Sequence, residues 1–167
     1  MSRILGLDVS TKTIGISLFE DNGDGGKLQM LTHITPKVKP KPKDNIELLI
    51  KKTQIFQFEF LEKYSDIDIS RVIIEEPLVR SNNVNTVATL LRFNGMICRS
   101  VYEVLNLVPE FISSYDARKF AFPELMEIRK VNKKGEPYSE KEIEKKQPVL
   151  FGGHPRSWLG NANFLAS

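Results

Sequence analysis

Three carboxylates stand at the ends of short apolar runs. Asp8 closes Ile4-Leu5-Gly6-Leu7, and Glu75 and Glu76 close Val72-Ile73-Ile74 just before Pro77. A carboxylate at the tip of a buried strand is costly to bury unless it is paired, hydrogen-bonded or bound to a metal. If the two runs are neighbouring parallel strands, Asp8 and Glu75 leave the same sheet edge side by side. Two carboxylates that close repel each other unless a divalent cation sits between them, and Mg²⁺ prefers such oxygens, with waters and phosphate oxygens completing its shell. Two metals roughly 4 Å apart activate a water and stabilise a leaving oxygen, so the chemistry indicated is metal-dependent phosphodiester hydrolysis. Glu75 and Glu76 compete for the role, because consecutive strand residues point to opposite faces. Glu76 is otherwise a solvent-exposed acid or a group that orients a nearby base or amide, and it and Ser10 are the further candidates beside the pair.

The elements that must position these acids follow from apolar spacing. Residues 3–8 and 14–20 read as strands joined by a turn at Ser10 to Thr13, and Asp21-Asn22-Gly23-Asp24-Gly25-Gly26 is a turn cluster that leads to a third strand over 27–34. Asp44 with Glu47 makes a helix start resembling a capping box. Ile46, Leu49, Ile50, Thr53, Phe56, Phe60 and Leu61 then recur at helical spacing to about Tyr64. Residues 71–77 form a buried strand ended by proline. After the polar loop at Asn82, Asn83 and Asn85, a long helix carries Val87, Leu90, Leu91, Ile97, Val101, Val104 and Leu105, with Gly95 and Cys98 as small residues suited to close packing. Residues 110–113 supply a fifth strand and 116–120 a short helical or loop segment. The order β-β-β-α-β-α-β predicts an α/β fold, a mixed sheet flanked by helices, in which the first helix carries the chain back so that strand four runs parallel to a neighbour.

Beyond Pro123 the pattern weakens. Residues 129–146 are dominated by Lys and Glu, with a short helix start at Tyr138-Ser139-Glu140, and residues 152–167 show no clear period. The expected organisation is a core over 1–125, a charged, partly helical segment over 126–151 and an irregular tail over 152–167.

Composition narrows the function class. The chain has 167 residues, enough for one ordinary core, and 41% of them are apolar. Twenty-four Lys and Arg against 21 Asp and Glu leave a net charge of +3, but residues 36–43 read Pro-Lys-Val-Lys-Pro-Lys-Pro-Lys. Proline keeps Lys37, Lys39, Lys41 and Lys43 extended and reachable by phosphates, although the bland reading is a solvated loop. Cys98 is the only cysteine, so no internal disulfide forms and an inert, buried thiol is expected. Asp8 interrupts the N-terminal apolar run before a signal-peptide core forms, and no apolar run approaches membrane-spanning length. A cytoplasmic protein without a membrane partner is expected.

The segment Leu5-Gly6-Leu7-Asp8-Val9-Ser10 with Thr13 and Gly15, together with Val72-Ile73-Ile74-Glu75-Glu76-Pro77 and the asparagine-containing loop and long helix after it, resembles RuvC-type Holliday-junction resolvases of the RNase H-like superfamily, particularly phage-type members. The resemblance covers roughly residues 3–125. It implies an RNase H-like mixed five-stranded sheet, Mg²⁺ or Mn²⁺ held by Asp8 and Glu75, a homodimer on branched DNA such as a four-way junction, and a setting in a bacterial or phage-infected cell. It favours Glu75 over Glu76, since the family places a polar residue after the metal-binding glutamate. The family completes its site with a further acidic motif at the start of a C-terminal helix. This chain has no aspartate after Asp116, which suits a C-terminally truncated or frame-shifted reading and leaves an inactive protein as one expectation.

Two rival readings remain. Asp8-Val9-Ser10-Thr11-Lys12-Thr13-Ile14-Gly15 also resembles the first phosphate loop of sugar-kinase and actin-like ATPases, but those proteins carry a second, repeated domain and this chain contains no repeat. A non-catalytic DNA-binding module is the other, with Lys37, Lys39, Lys41, Lys43, Arg80, Arg92, Arg118 and Lys119 on phosphates. Of these, Arg118 and Lys119 follow the fifth strand and are expected nearer the carboxylates. His33 is expected to be structural; His154, in a flexible Gly-Gly-His-Pro setting, is a minor candidate for a substitute ligand or base, with a plain tail residue the favoured reading.

Overall fold

The computed structural model describes residues 2–23, 26–77, 83–121, 126–127, 130–132, 135–144 and 149–150. The chain divides into two compact units, Met1–Ser113 and Ser114–Ser167. Arg80, Asn82, Phe122 and the expected irregular tail with His154 lie outside the described residues.

The first unit is built on β1 (Ser2–Val9), β2 (Ile14–Asp21), β3 (Gly26–Ile34), β4 (Ile69–Glu75) and β5 (Glu110–Ile112), in the spatial order β3-β2-β1-β4-β5. The first three form an antiparallel meander, whereas β4 pairs parallel with β1 and β5 parallel with β4. Each parallel step needs a crossover, and helices α1 (Asn45–Phe56) and α2 (Val84–Leu105) supply them. The expected mixed sheet and its element order are therefore present.

Period-two alternation decides which side chains each face receives. Leu5, Leu7 and Val9 of β1, Ile14, Ile16 and Leu18 of β2, and Val72 and Ile74 of β4 are buried on one face. Leu49, Thr53 and Phe56 of α1 and Phe93, Ile97 and Val101 of α2 are buried as well, and all of these except Leu18 and Thr53 join one apolar cluster. Burying each large side chain contributes roughly 1.5–3 kcal/mol relative to exposure, before chain entropy is set against it. The opposite face presents Gly6, Asp8, Gly15, Ser17, Ile73, Glu75 and Ile112, and the site lies there.

Local signals work largely as expected. The Asp44 side chain accepts from the Glu47 amide at 2.8 Å and starts α1, and Asn83 does the same for the Thr86 amide at 3.2 Å at the head of α2. Asn106, with φ of 53°, ends α2 in the left-handed region that asparagine tolerates. Three details depart from expectation. The first helix does not continue regularly to Tyr64: a π turn, Gln57–Leu61, inserts after Phe56 and turns both Phe60 and Leu61 inward. Ile46 and Ile50 fall to one side of the Leu49–Thr53–Phe56 stripe and are exposed. Gly95 is not closely packed, since a Cβ there meets nothing within 4 Å. Cys98 is half-buried against the core, and burial pushes its thiol pKa up.

The second unit contains α3 (Ser114–Ala121), the two-stranded pair β6 (Met126–Glu127) and β7 (Val149–Leu150), and α4 (Glu140–Glu144). The expected start of α4 is realised by Ser139, whose amide and hydroxyl both donate to the Glu142 carboxylate at 2.9 and 2.7 Å. No described helix is long and apolar enough to cross a membrane.

Candidate metal-binding cleft

Parallel pairing sets Leu7 of β1 beside Ile74 of β4. One residue further along each strand stand Asp8 and Glu75, on neighbouring strands about 4.8 Å apart. Both line one open cleft of about 360 Å³, together with Gly6, Gly15, Ser17, Thr32, Ile73 and Ile112. Asp8 is exposed and Glu75 half-buried. Strand alternation separates Glu75 from Glu76, as the period of two requires. Glu76 is exposed and lines a different cleft, of about 560 Å³, with Pro77, Leu91, Asn94, Gly95, Cys98 and Phe111.

The surroundings of Asp8 are shaped by small residues. Gly15 is its antiparallel partner, and a Cβ at Gly15 would lie 3.5 Å from the Asp8 Cβ. Gly6 faces Ser17 across the same strand pair, and a Cβ at Gly6 would meet the Ser17 Oγ at 2.5 Å. Glycine therefore keeps the cleft floor open at two positions next to the carboxylate. On the same face, Arg71 grips Glu110 through two bonds of 2.8 and 2.7 Å and ties β4 to β5. That bidentate contact holds the Glu110 carboxyl below its usual range and raises the Arg71 guanidinium.

Ser10 sits in the β1–β2 turn rather than in the cleft lining. Its Oγ donates to the Thr13 carbonyl at 2.8 Å and accepts from the Thr13 amide at 3.0 Å and the Lys12 amide at 3.4 Å. This closes the turn immediately after Asp8, so the hydroxyl supports the backbone around the acid. Ser17, Thr32 and Ile112 were not singled out by sequence reasoning. Ser17 was within reach of it, because the antiparallel turn at 10–13 makes residue 17 the partner of residue 6.

Lys37, Lys39, Lys41 and Lys43 are exposed on the segment between β3 and α1. Arg92 is exposed on α2, and Arg118 and Lys119 are exposed on α3 in the second unit. His33 is an exposed β3 residue paired with Gly15. Among the described residues no group of three or more His, Cys, Asp or Glu side chains converges. Among the described residues the donor set is thus two carboxylates on an open cleft. That fits a hard cation such as Mg²⁺, which is commonly bound by one or two carboxylates and leaves its remaining positions to water and substrate phosphate.

No protein-family model matches the chain, and no curated protein matches it. Solved structures do. Thermus thermophilus RuvC in complex with a Holliday junction substrate has a TM-score of 0.57 at 9% identity, covering 71% of this chain and 69% of that one. A second Thermus thermophilus RuvC structure has a TM-score of 0.50 at 14% identity, covering 84% and 73%. A Ppx/GppA phosphatase from Aquifex aeolicus has a TM-score of 0.45 at 12% identity, covering 74% and 42%. At this identity the likeness to RuvC shows the fold, and the chain carries an RNase H-like mixed five-stranded sheet flanked by helices.

Proposed function

We propose that the chain is a divalent-metal-dependent endodeoxyribonuclease acting on branched DNA, in the manner of RuvC-type junction resolvases. The observation that carries this reading is the delivery of Asp8 and Glu75 by adjacent parallel strands into one open cleft. The two carboxylates would hold the cation, Mg²⁺ or Mn²⁺. Bound there, the cation would supply activation of a water and charge stabilisation at the leaving oxygen of a phosphodiester. Asp8, being exposed, is the carboxylate nearer to an incoming phosphate, while the half-buried Glu75 fixes the inner side of the cleft. Gly6 and Gly15 leave room for a sugar–phosphate backbone to approach, and the Ser10 turn keeps the strand end that bears Asp8 from fraying.

Lys37, Lys39, Lys41 and Lys43, with Arg118 and Lys119 on the second unit, are proposed to contact backbone phosphates, which set register and affinity without reading sequence. A homodimer matches the two-fold character of a four-way junction. The test is incubation with labelled four-way junction, linear duplex and RNA–DNA hybrid, each with Mg²⁺ or with EDTA. Junction cleavage that needs the metal and disappears in Asp8→Asn supports the enzyme. Junction binding without cleavage in either condition replaces it with a binding module, and absence of both overturns the nucleic-acid reading.

A further inference from the structure

A single glycine separates Asp8 from a histidine on the open face of the sheet. Gly15 is the antiparallel partner of Asp8, and His33 of β3 is the antiparallel partner of Gly15. Ile14 and Ile16 are buried in the core, so Gly15 between them lies on the opposite face, and directly paired residues share a face. Glu75, Asp8, Gly15 and His33 therefore form one row across four strands. Leu31, two residues before His33 and on the same face, lines the Asp8 cleft, so β3 is one of its walls. A Cβ at Gly15 would have only Asp8 atoms within 4 Å, the Cβ at 3.5 Å and the carbonyl oxygen at 3.8 Å. The imidazole does not cover the glycine, and a slot stays open between the two side chains.

The end of this slot is polar. Thr13 and Thr35 stand two residues beyond Gly15 and His33 on the same face, and their hydroxyls are 3.3 Å apart. Whichever hydroxyl donates to the other, one O–H is left to donate outward. His33 is exposed and makes no hydrogen bond or ion pair among the described residues. Strand β3 lies two spacings from β1, about 9.6 Å, and three from β4, about 14 Å. His33 is thus too distant to share a cation with both acids, in line with the lack of three converging ligands among the described residues. The gap over Gly15 has room instead for a phosphate group, with a hydrogen bond of about 2.8 Å at the imidazole end. Acceptors stand at one end of the row and donors at the other, and a phosphate that meets a cation at the acids and N–H and O–H groups at the far side satisfies both.

We infer that His33 contacts substrate: its imidazole N–H, with the Thr35 hydroxyl beside it, donates to the phosphate received over Gly15 next to Asp8. This rests on the nuclease reading and adds to it the side chains that orient the reacting phosphate from the β3 side of the cleft.

The test measures affinity for a labelled four-way junction with Ca²⁺ in place of Mg²⁺, alongside junction cleavage by wild type in Mg²⁺. The proteins are wild type, His33→Leu, His33→Gln and Thr35→Val, each also in an Asp8→Asn background. His33→Leu should weaken binding about tenfold, the loss expected for one hydrogen bond to a charged group. His33→Gln, whose amide N–H replaces that of the imidazole, should keep most of the affinity, and Thr35→Val should lose about threefold. In the Asp8→Asn background the losses should shrink towards nothing, because both sides of the slot hold the same phosphate. A merely structural histidine would give no such coupling. His33 is exposed, so its variants should melt with wild type; if His33→Leu melts early, Thr35→Val and its cycle with Asp8→Asn decide the matter. If wild type cleaves and His33→Leu binds as tightly as wild type, or loses the same factor in both backgrounds, the inference falls while the nuclease reading stands. If wild type binds without cleaving, the nuclease reading falls and the cycle alone decides the contact. If wild type neither binds nor cleaves, both fall.

Discussion

Glu75 and Glu76 are neighbours in sequence and opposites in space, which makes their exchange for glutamine a sharp test of the site. The substitutions Asp8→Asn, Glu75→Gln and Glu76→Gln each remove one charge with little change of shape. A dication held between strands about 4.8 Å apart lies roughly 3 Å from each carboxylate charge. The cleft is open to water, so its attraction to one carboxylate is about 2 × 332/(80 × 3), or ~3 kcal/mol. Losing one carboxylate should then weaken metal binding about 100-fold. Glu76 lines the other cleft and should leave metal affinity unchanged. Calorimetric titration with Mg²⁺ and Mn²⁺, and the metal concentration giving half-maximal junction cleavage, both read the effect. Equal losses in Glu75→Gln and Glu76→Gln, or undiminished metal affinity in Asp8→Asn, would refute the strand-register argument on which the site rests.

Three further outcomes are expected. Gly6→Ala should be destabilised by about 1 kcal/mol through the displaced Ser17 Oγ, and neutral or stabilising in a Ser17→Ala background, where the Ser17 Cβ would lie 3.9 Å away; urea unfolding of the two single variants and the double variant measures the coupling. The Glu110 carboxyl is lowered by Arg71, so its contribution to stability is complete above the ordinary carboxylate range and is lost as pH falls through the depressed value. Glu110→Gln should therefore lose less stability than wild type over that acid interval, and melting curves stepped from pH 6 to pH 2 would show the difference. Phe93→Ala empties a fully buried position between α2 and the sheet and should cost about 3–5 kcal/mol. A thermal midpoint within a few degrees of wild type would contradict the assigned core.

Much of the sheet is legible because strands report themselves locally. The alternation of Leu5, Leu7 and Val9 against Gly6 and Asp8 needs only the pleat to explain it, and the Asp44 and Asn83 caps need only the next turn of helix. The departures have a common physical source. Ile46 and Ile50 satisfy a helical period yet remain exposed, because burial depends on how far the neighbouring elements extend over the helix. Gly95 looks like a packing residue but opens onto a cleft, since close approach is a property of two surfaces and the sequence writes only one. The π turn after Phe56 likewise answers to two large residues, Phe60 and Leu61, that the core accepts together.

The sequence by itself determined the strands, the two crossover helices and the placing of acids at strand ends, because those follow from side-chain period, caps and turn residues over a few positions. Only the tertiary structure decided that the parallel neighbour of β4 is β1, which sets Asp8 beside Glu75 across 66 intervening positions and turns Glu76 away. Only it could carry Lys52 of α1 to the Thr11 carbonyl. Contacts between distant residues depend on how whole elements pack, and no local preference encodes them.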